Sequence, residues 1–224
     1  MEVHKPKAAH SWGEFAREMG AVVLGILIAL ALEQAVEAAH WAHAVREGET
    51  SLKEELGAQA DFYALRQVTH DCIERRLDLI QGVVDGVRGG VHEAPLGRIT
   101  FPQGALIRRD GWEALSTGAV LAHLDPNRLK TYSLVYAQGL DERVWETDEG
   151  DAWDVIRLAE GDPNRLTPAD VSALRAALGK ARRLNYLIAI NAKDQLDRIA
   201  SLGVPAPKPV DPSQQRECKP VVRG

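Results

Sequence analysis

Glu37, His40, His43 and Glu47 follow one another at steps of three and four, so a helix would place two imidazoles and two carboxylates on one face. Glu-x-x-His holds metal in helical proteins, but it needs a matching pair from another helix. No second Glu-x-x-His occurs in the chain. These side chains therefore read as a polar face, and no metal or cofactor is expected; in an oligomer, His40 and His43 could cluster around an axis. His70 falls among apolar residues at helical spacing and reads as a core histidine. Arg108 and Arg109 ahead of Asp110 could hold an anion, though a solvated pair beside a helix cap is the plainer reading.

Asp141, Glu142, Glu146, Asp148, Glu149, Asp151 and Asp154 form an acidic run. It lacks the alternating ligands and central glycine of a calcium loop, so it reads as a solvated face open to a basic partner. Tyr132, Tyr136, Trp145 and Trp153 are spaced as core residues, with a ligand pocket as the alternative. No Gly-x-Gly-x-x-Gly, phosphate loop, His-Glu-x-x-His or Gly-x-Ser-x-Gly is present. No catalytic residue is assigned. Cys72 and Cys218 either form one bridge, which oxidising surroundings would favour, or stand as two unrelated thiols. The bridge is the expectation, with the C-terminal tail pinned to a helix.

The elements that must position these residues begin with Met19 to Leu32, fourteen residues without a charge or strong polar group. Such a run spans roughly 21 Å as a helix, short of a bilayer's hydrocarbon core. Extended from Trp12 to Trp41, however, the helix reaches roughly 43 Å, with an aromatic ring at each end to sit among headgroups. Arg17 could snorkel outward, and Glu33 could face a partner or the far headgroups. Val22 to Leu30 are apolar on every face, which a half-buried helix of a soluble protein does not need. About eighteen residues including Glu14 and Glu18 precede the run, too many and too acidic for a cleaved leader. A spanning, uncleaved helix is expected.

Lys5, Lys7 and Arg17 precede the run, whereas only Arg46 follows it before Lys53. That bias predicts a cytoplasmic N-terminus and a periplasmic main domain, in the inner membrane. Ala21, Gly25 and Ala29 recur at spacing four, a stripe that lets a second helix approach closely; the alternative is that small residues are simply common in such helices. With 32 acidic against 27 basic residues and a net charge of −5, the chain is no general nucleic-acid binder. Lipid, and either a second copy or another membrane-complex subunit, are the expected partners.

Val22-Val23-Leu24-Gly25-Ile26-Leu27-Ile28-Ala29-Leu30, preceded by Glu18, resembles the anchor of an uncharacterised family of short bacterial single-span membrane proteins. The charged stretch Arg46 to Leu56 and the run Trp112-Glu113-Ala114-Leu115-Ser116-Thr117-Gly118 are similar to that family as well. Glu33-Gln34-Ala35-Val36-Glu37 departs from the aromatic and Asn residues usual there. The resemblance implies a single-span helical protein and supplies no activity.

Beyond the anchor, Leu52, Leu56, Tyr63, His70, Ile73, Leu77, Ile80, Val84 and Val87 predict a helix ended by Gly89-Gly90. Residues 89–104 read as a loop with a strand-like patch at Arg98 to Phe101. A short helix over Trp112 to Leu124 follows. Asp125-Pro126 starts another through Leu129, Tyr132, Val135, Tyr136, Leu140 and Val144, bending near Gly150. Thr167-Pro168-Ala169-Asp170 starts the last, whose buried face is Val171, Leu174, Leu178, Ala181, Ile188, Ala192 and Ile199. Asp-Pro-Asn-Arg-Leu occurs at 125–129 and 162–166, read as helix-start punctuation both times.

The expected fold is all-α: an N-terminal transmembrane helix continuing into an antiparallel bundle of about four helices. Its parts are a cytoplasmic segment 1–18, a membrane and interfacial helix 19–41, a bundle 42–203 and a Pro-rich tail 204–224. The expected function is non-enzymatic, an exported domain for interaction or assembly, of the kind an accessory subunit brings to a membrane complex. A small-ligand sensor is the alternative, and a membrane-bound enzyme of unrecognised chemistry the second alternative.

Overall fold

The computed structural model describes residues 11–104 and 107–221. Lys5 and Lys7, two of the three basic residues read above as preceding the apolar run, lie outside the described residues. The described residues are all-helical, with four α-helices among them: α1 (Trp12–Arg88), α2 (Asp110–Ser116), α3 (Pro126–Ile156) and α4 (Pro168–Ser201). Among the described residues there is no strand. The chain divides into two compact units, Met1–Glu47 and Gly48–Gly224, with α1 contributing to both.

Helix ends follow local chemistry. The Asp125 side chain accepts from the Asn127 and Arg128 backbone N–H groups, both at 3.0 Å, and Pro126 stands at the first position of α3, where its missing N–H is harmless. Thr167 and Asp170 form a reciprocal capping box at the start of α4. α1 ends where Gly90 takes φ +80°: the Val91 N–H bonds back to the Gly86 carbonyl and the Gly90 N–H to that of Val87, closing the last turn.

In the second unit, burial recurs every seven residues. On α1 one series is Leu52, Gln59, Arg66, Ile73 and Ile80; on α3 it is Val135, Glu142, Glu149 and Ile156; on α4 it is Val171, Leu178, Asn185, Ala192 and Ile199. Ile73, Leu77, Trp153, Ile156, Leu174 and Leu178 share one apolar core. Each fully buried aliphatic side chain stabilises it by about 1.5–3 kcal/mol. Partners fall in number along α4 as they rise along α1 (Glu74 with Arg182, His70 with Asn185) and along α3 (Val135 with Gln195, Glu142 with Asn191).

Several local expectations need correcting. Arg98 to Phe101 pairs with no strand; the nearest ladder is one isolated bridge between Leu96 and Gly161. The helix expected over Trp112 to Leu124 breaks at Gly118, where the backbone is extended, leaving α2 and a single 3-10 stretch, Ala119–His123. Asp110 does not cap α2: the cap position is Arg109, without a side-chain bond, and the Gly111 N–H is taken by Glu55 from α1 at 2.8 Å. The second Asp-Pro-Asn-Arg starts only a 3-10 turn, Pro163–Arg165. Leu140 and Val144 face outward, because the buried face of α3 follows helical geometry past them to Gly139 and Glu142. The tail is extended apart from two 3-10 turns, Pro212–Gln214 and Arg216–Cys218.

Candidate functional site

Every residue from 11 to 40 is exposed. That includes Val22, Leu24, Ile26, Leu27, Ile28 and Leu32, each more than half exposed. No part of the most apolar window of α1 is covered, and its mean hydropathy is 2.1, which makes α1 long and apolar enough to cross a membrane. A soluble fold buries such side chains; leaving them uncovered in water would forfeit the hydrophobic term that folds proteins.

Ala21, Gly25 and Ala29 lie within this uncovered stretch, and a Cβ on Gly25 would meet nothing within 4 Å. At the two ends the polar atoms are turned back onto the helix itself. Arg17 donates to the Gly13 carbonyl at 3.3 Å, and the Trp41 indole N–H donates to Glu37 at 3.3 Å. Trp12 packs edge-on against Phe15, with ring centroids 6.1 Å apart. Glu33 is exposed. His43 approaches Glu47 at 3.3 Å across a solvated turn, and among the described residues no three His, Cys, Asp or Glu side chains converge as metal ligands.

The second unit holds a buried polar layer that the acidic run, read as solvated, did not announce. Arg66 of α1 grips Glu149 of α3 with both terminal nitrogens, at 2.8 and 2.9 Å, and also reaches Asn185 of α4 at 3.4 Å. Asn185 donates to Glu74 at 2.7 Å, and Arg182 bridges Glu74 and Asp78 at 3.0 and 2.7 Å. Such paired donors and acceptors, matched fork to fork, are the strong class of hydrogen bond.

Two turns earlier on α3, Glu142 is fully buried and accepts from Asn191. Burial raises its pKa to about 8, against the lowering effect of the Asn191 bond and of Arg66. The Tyr63 hydroxyl is pushed well above its usual range by the same burial and by Glu142 and Glu146. Trp153, Tyr132 and Tyr136 are core residues as expected, and Trp112 stacks on Tyr136 with centroids 5.0 Å apart. Trp145 is half-buried, and so is His70, whose Nδ1 is enclosed and makes no hydrogen bond. His70 is therefore not the satisfied core histidine expected.

Cys72 and Cys218 are joined, with Cα atoms 4.7 Å apart. Beside the bridge, the Arg76 guanidinium is buried and donates to the carbonyls of Thr100, Arg216 and Lys219 at 2.6, 2.8 and 2.8 Å. Burial lowers its pKa, opposed by the Glu217 carboxylate. The Arg108–Asp110 pair is exposed at 3.0 Å, as a solvated pair would be.

No protein-family model matches the chain. Searches of curated proteins and of solved structures return no match either.

The polar layer was hidden by residue type but not by position. Gln59, Arg66, Glu142, Glu149 and Asn185 all continue the seven-residue series set by apolar neighbours. Arg76 has no such signal, since its partners are carbonyls from a loop and the tail.

Proposed function

We propose that the chain is a single-pass protein of the inner (cytoplasmic) membrane, anchored by the apolar part of α1, with its second unit on the periplasmic side. In this reading α1, α3 and α4 form a bundle in which α4 runs against the other two, and the domain serves interaction or assembly. The observation that carries the reading is the uncovered apolar run from Val22 to Leu32. Lipid is the solvent that removes the penalty of leaving those side chains bare.

Two further observations support it. The Cys72–Cys218 bond fits an oxidising compartment, and Arg17 stands on the side predicted to stay inside. A binding role is favoured over catalysis because the convergent ionisable groups Arg66, Glu142 and Glu149 are 2%, 0% and 4% exposed. A substrate would have to reach them through the core. Ala21, Gly25 and Ala29 are the surface where a second copy or another subunit of a membrane complex would pack. The proposal stands beside the short bacterial single-span proteins whose anchor this one resembles.

The test is fractionation of the intact chain. After alkaline carbonate washing the protein should stay in the membrane pellet, and protease added outside the inner membrane should degrade the second unit. Release into the aqueous fraction, or full protection from protease, overturns the reading. Extraction in mild detergent should then bring down a stoichiometric partner or a homo-oligomer that Gly25→Leu dissociates; a monomer without partners removes the assembly role.

A further inference from the structure

Within the second unit, Arg98, Arg157 and Arg216 line one cleft of about 260 Å³ together with Ile99, Thr100 and Phe101. Three arginines on one small cleft stand out in a chain of net charge −5, and all three are exposed, so water screens their mutual repulsion and leaves the cleft open to an anion. The carboxylates nearby are taken up by Arg157 and by backbone N–H groups. Glu160 is engaged by the Ile99 N–H at 2.9 Å and by Arg157 at 3.3 Å, and Asp154 meets Arg157 at 3.8 Å. Glu217 accepts from the Gln103 N–H at 3.0 Å. The guanidinium groups of Arg98 and Arg216 have no hydrogen bond or ion pair to any described residue.

The walls of the cleft are also built rather than loose. Arg76, buried beneath them, holds the Thr100 carbonyl and hydroxyl on one side and the Arg216 and Lys219 carbonyls on the other. The Cys72–Cys218 bond lies two residues from Arg216 and fastens that stretch of tail to α1. Arg98 comes from the loop after α1, Arg157 from the end of α3 and Arg216 from the tail, so three distant stretches of chain meet only in the folded, bridged molecule.

We propose that this cleft binds a phosphate-type oxyanion, with Arg98 and Arg216 as its ligands, and Arg76 and the disulfide as positioning groups. Planar guanidinium forks match the oxygen spacing of phosphate, and two arginines without a carboxylate partner on one small cleft suit a compact, doubly charged group. The site lies wholly in the second unit, so its test does not depend on how the anchor behaves.

The probes are inorganic phosphate and pyrophosphate, titrated calorimetrically into the full chain in a non-ionic detergent. A third arm uses vesicles carrying a phosphatidic acid headgroup, which separates a lipid phosphate from a free one. Saturable binding in at least one arm is expected. Arg98→Gln and Arg216→Gln should each weaken it about tenfold, the loss of one charge-assisted hydrogen-bond pair. Arg143→Gln, an exposed charge outside the cleft, should leave it unchanged. Cys218→Ser should weaken binding by a similar factor, because Arg216 is then held by backbone bonds alone. Absence of saturable binding in all arms overturns the proposal, as does an equal loss in Arg143→Gln, which would mean diffuse charge attraction. Undiminished binding in Cys218→Ser overturns the role given to the disulfide.

Discussion

Glu142 shows how one position decides the behaviour of a side chain. Its neighbours Asp141 and Arg143 are exposed, yet Glu142 is fully enclosed and its pKa rises from the ordinary 4.5 to about 8. The folded molecule therefore keeps a proton that the unfolded chain gives up at about pH 4.5. Between those two values the folded state binds more protons, so stability falls as pH rises from 4.5 towards 8. Above that window the loss is complete. The fall should amount to roughly 3–5 kcal/mol, since each tenfold change in proton affinity is worth about 1.4 kcal/mol. The acidic groups with lowered values, Asp162, Asp170 and Asp211, titrate below the window and do not add to it. Denaturant unfolding of the full chain in detergent, followed at several pH values, measures this slope. In Glu142→Gln the slope across the window should flatten, and an unaltered slope would assign it to another group.

Between elements, the layer of Arg66, Glu149 and Asn185 ties α1, α3 and α4 at one level. An apolar layer in that place would tolerate slipping by one seven-residue step, because apolar layers lie further along the same helices. A paired charge does not, since a slipped register would bury Arg66 and Glu149 apart. Arg66→Met should accordingly destabilise the fold by about 3–5 kcal/mol, leaving Glu149 enclosed without its cation. Arg66→Met combined with Glu149→Met should recover most of that loss. A single-variant effect below about 1 kcal/mol would mean that Glu149 reaches solvent. The same layer explains what could be read in advance. The starts of α3 and α4 were legible because Asp125-Pro126 and Thr167-Pro168 act locally, and α4's apolar face was legible because its buried residues are mostly apolar. The face of α3 was misread from Leu140 onward, since apolar letters were followed where spacing pointed to Glu142 and Glu149. The apolar stretch of α1 was visible as composition alone. The Arg98, Arg157 and Arg216 cleft was not legible at all, because it depends on a tail brought back across the whole domain.

At the scale of the molecule, that return of the tail is made by the single covalent link between Cys72 and Cys218, which are 146 residues apart. Closing so long a loop restricts the unfolded chain and should stabilise the native state by about 4–5 kcal/mol on the chain-entropy account. The link does not act alone. Arg76 still offers its guanidinium to the Arg216 and Lys219 carbonyls, and the Lys208 N–H still bonds Asp61 at 2.9 Å. A Cys72→Ser, Cys218→Ser protein should therefore keep its helices while losing up to that much stability, and amide exchange should rise first across residues 204–221. If exchange rises equally in α1, α3 and α4, the tail is an integral part of the core rather than a strap over it. The thiol state in cells bears on the proposed address as well: a link formed only after export should be absent from chains held in the cytoplasm, where alkylation would find both thiols free. Chains that carry the bond before translocation would separate the disulfide from the membrane reading and leave each to stand on its own observation.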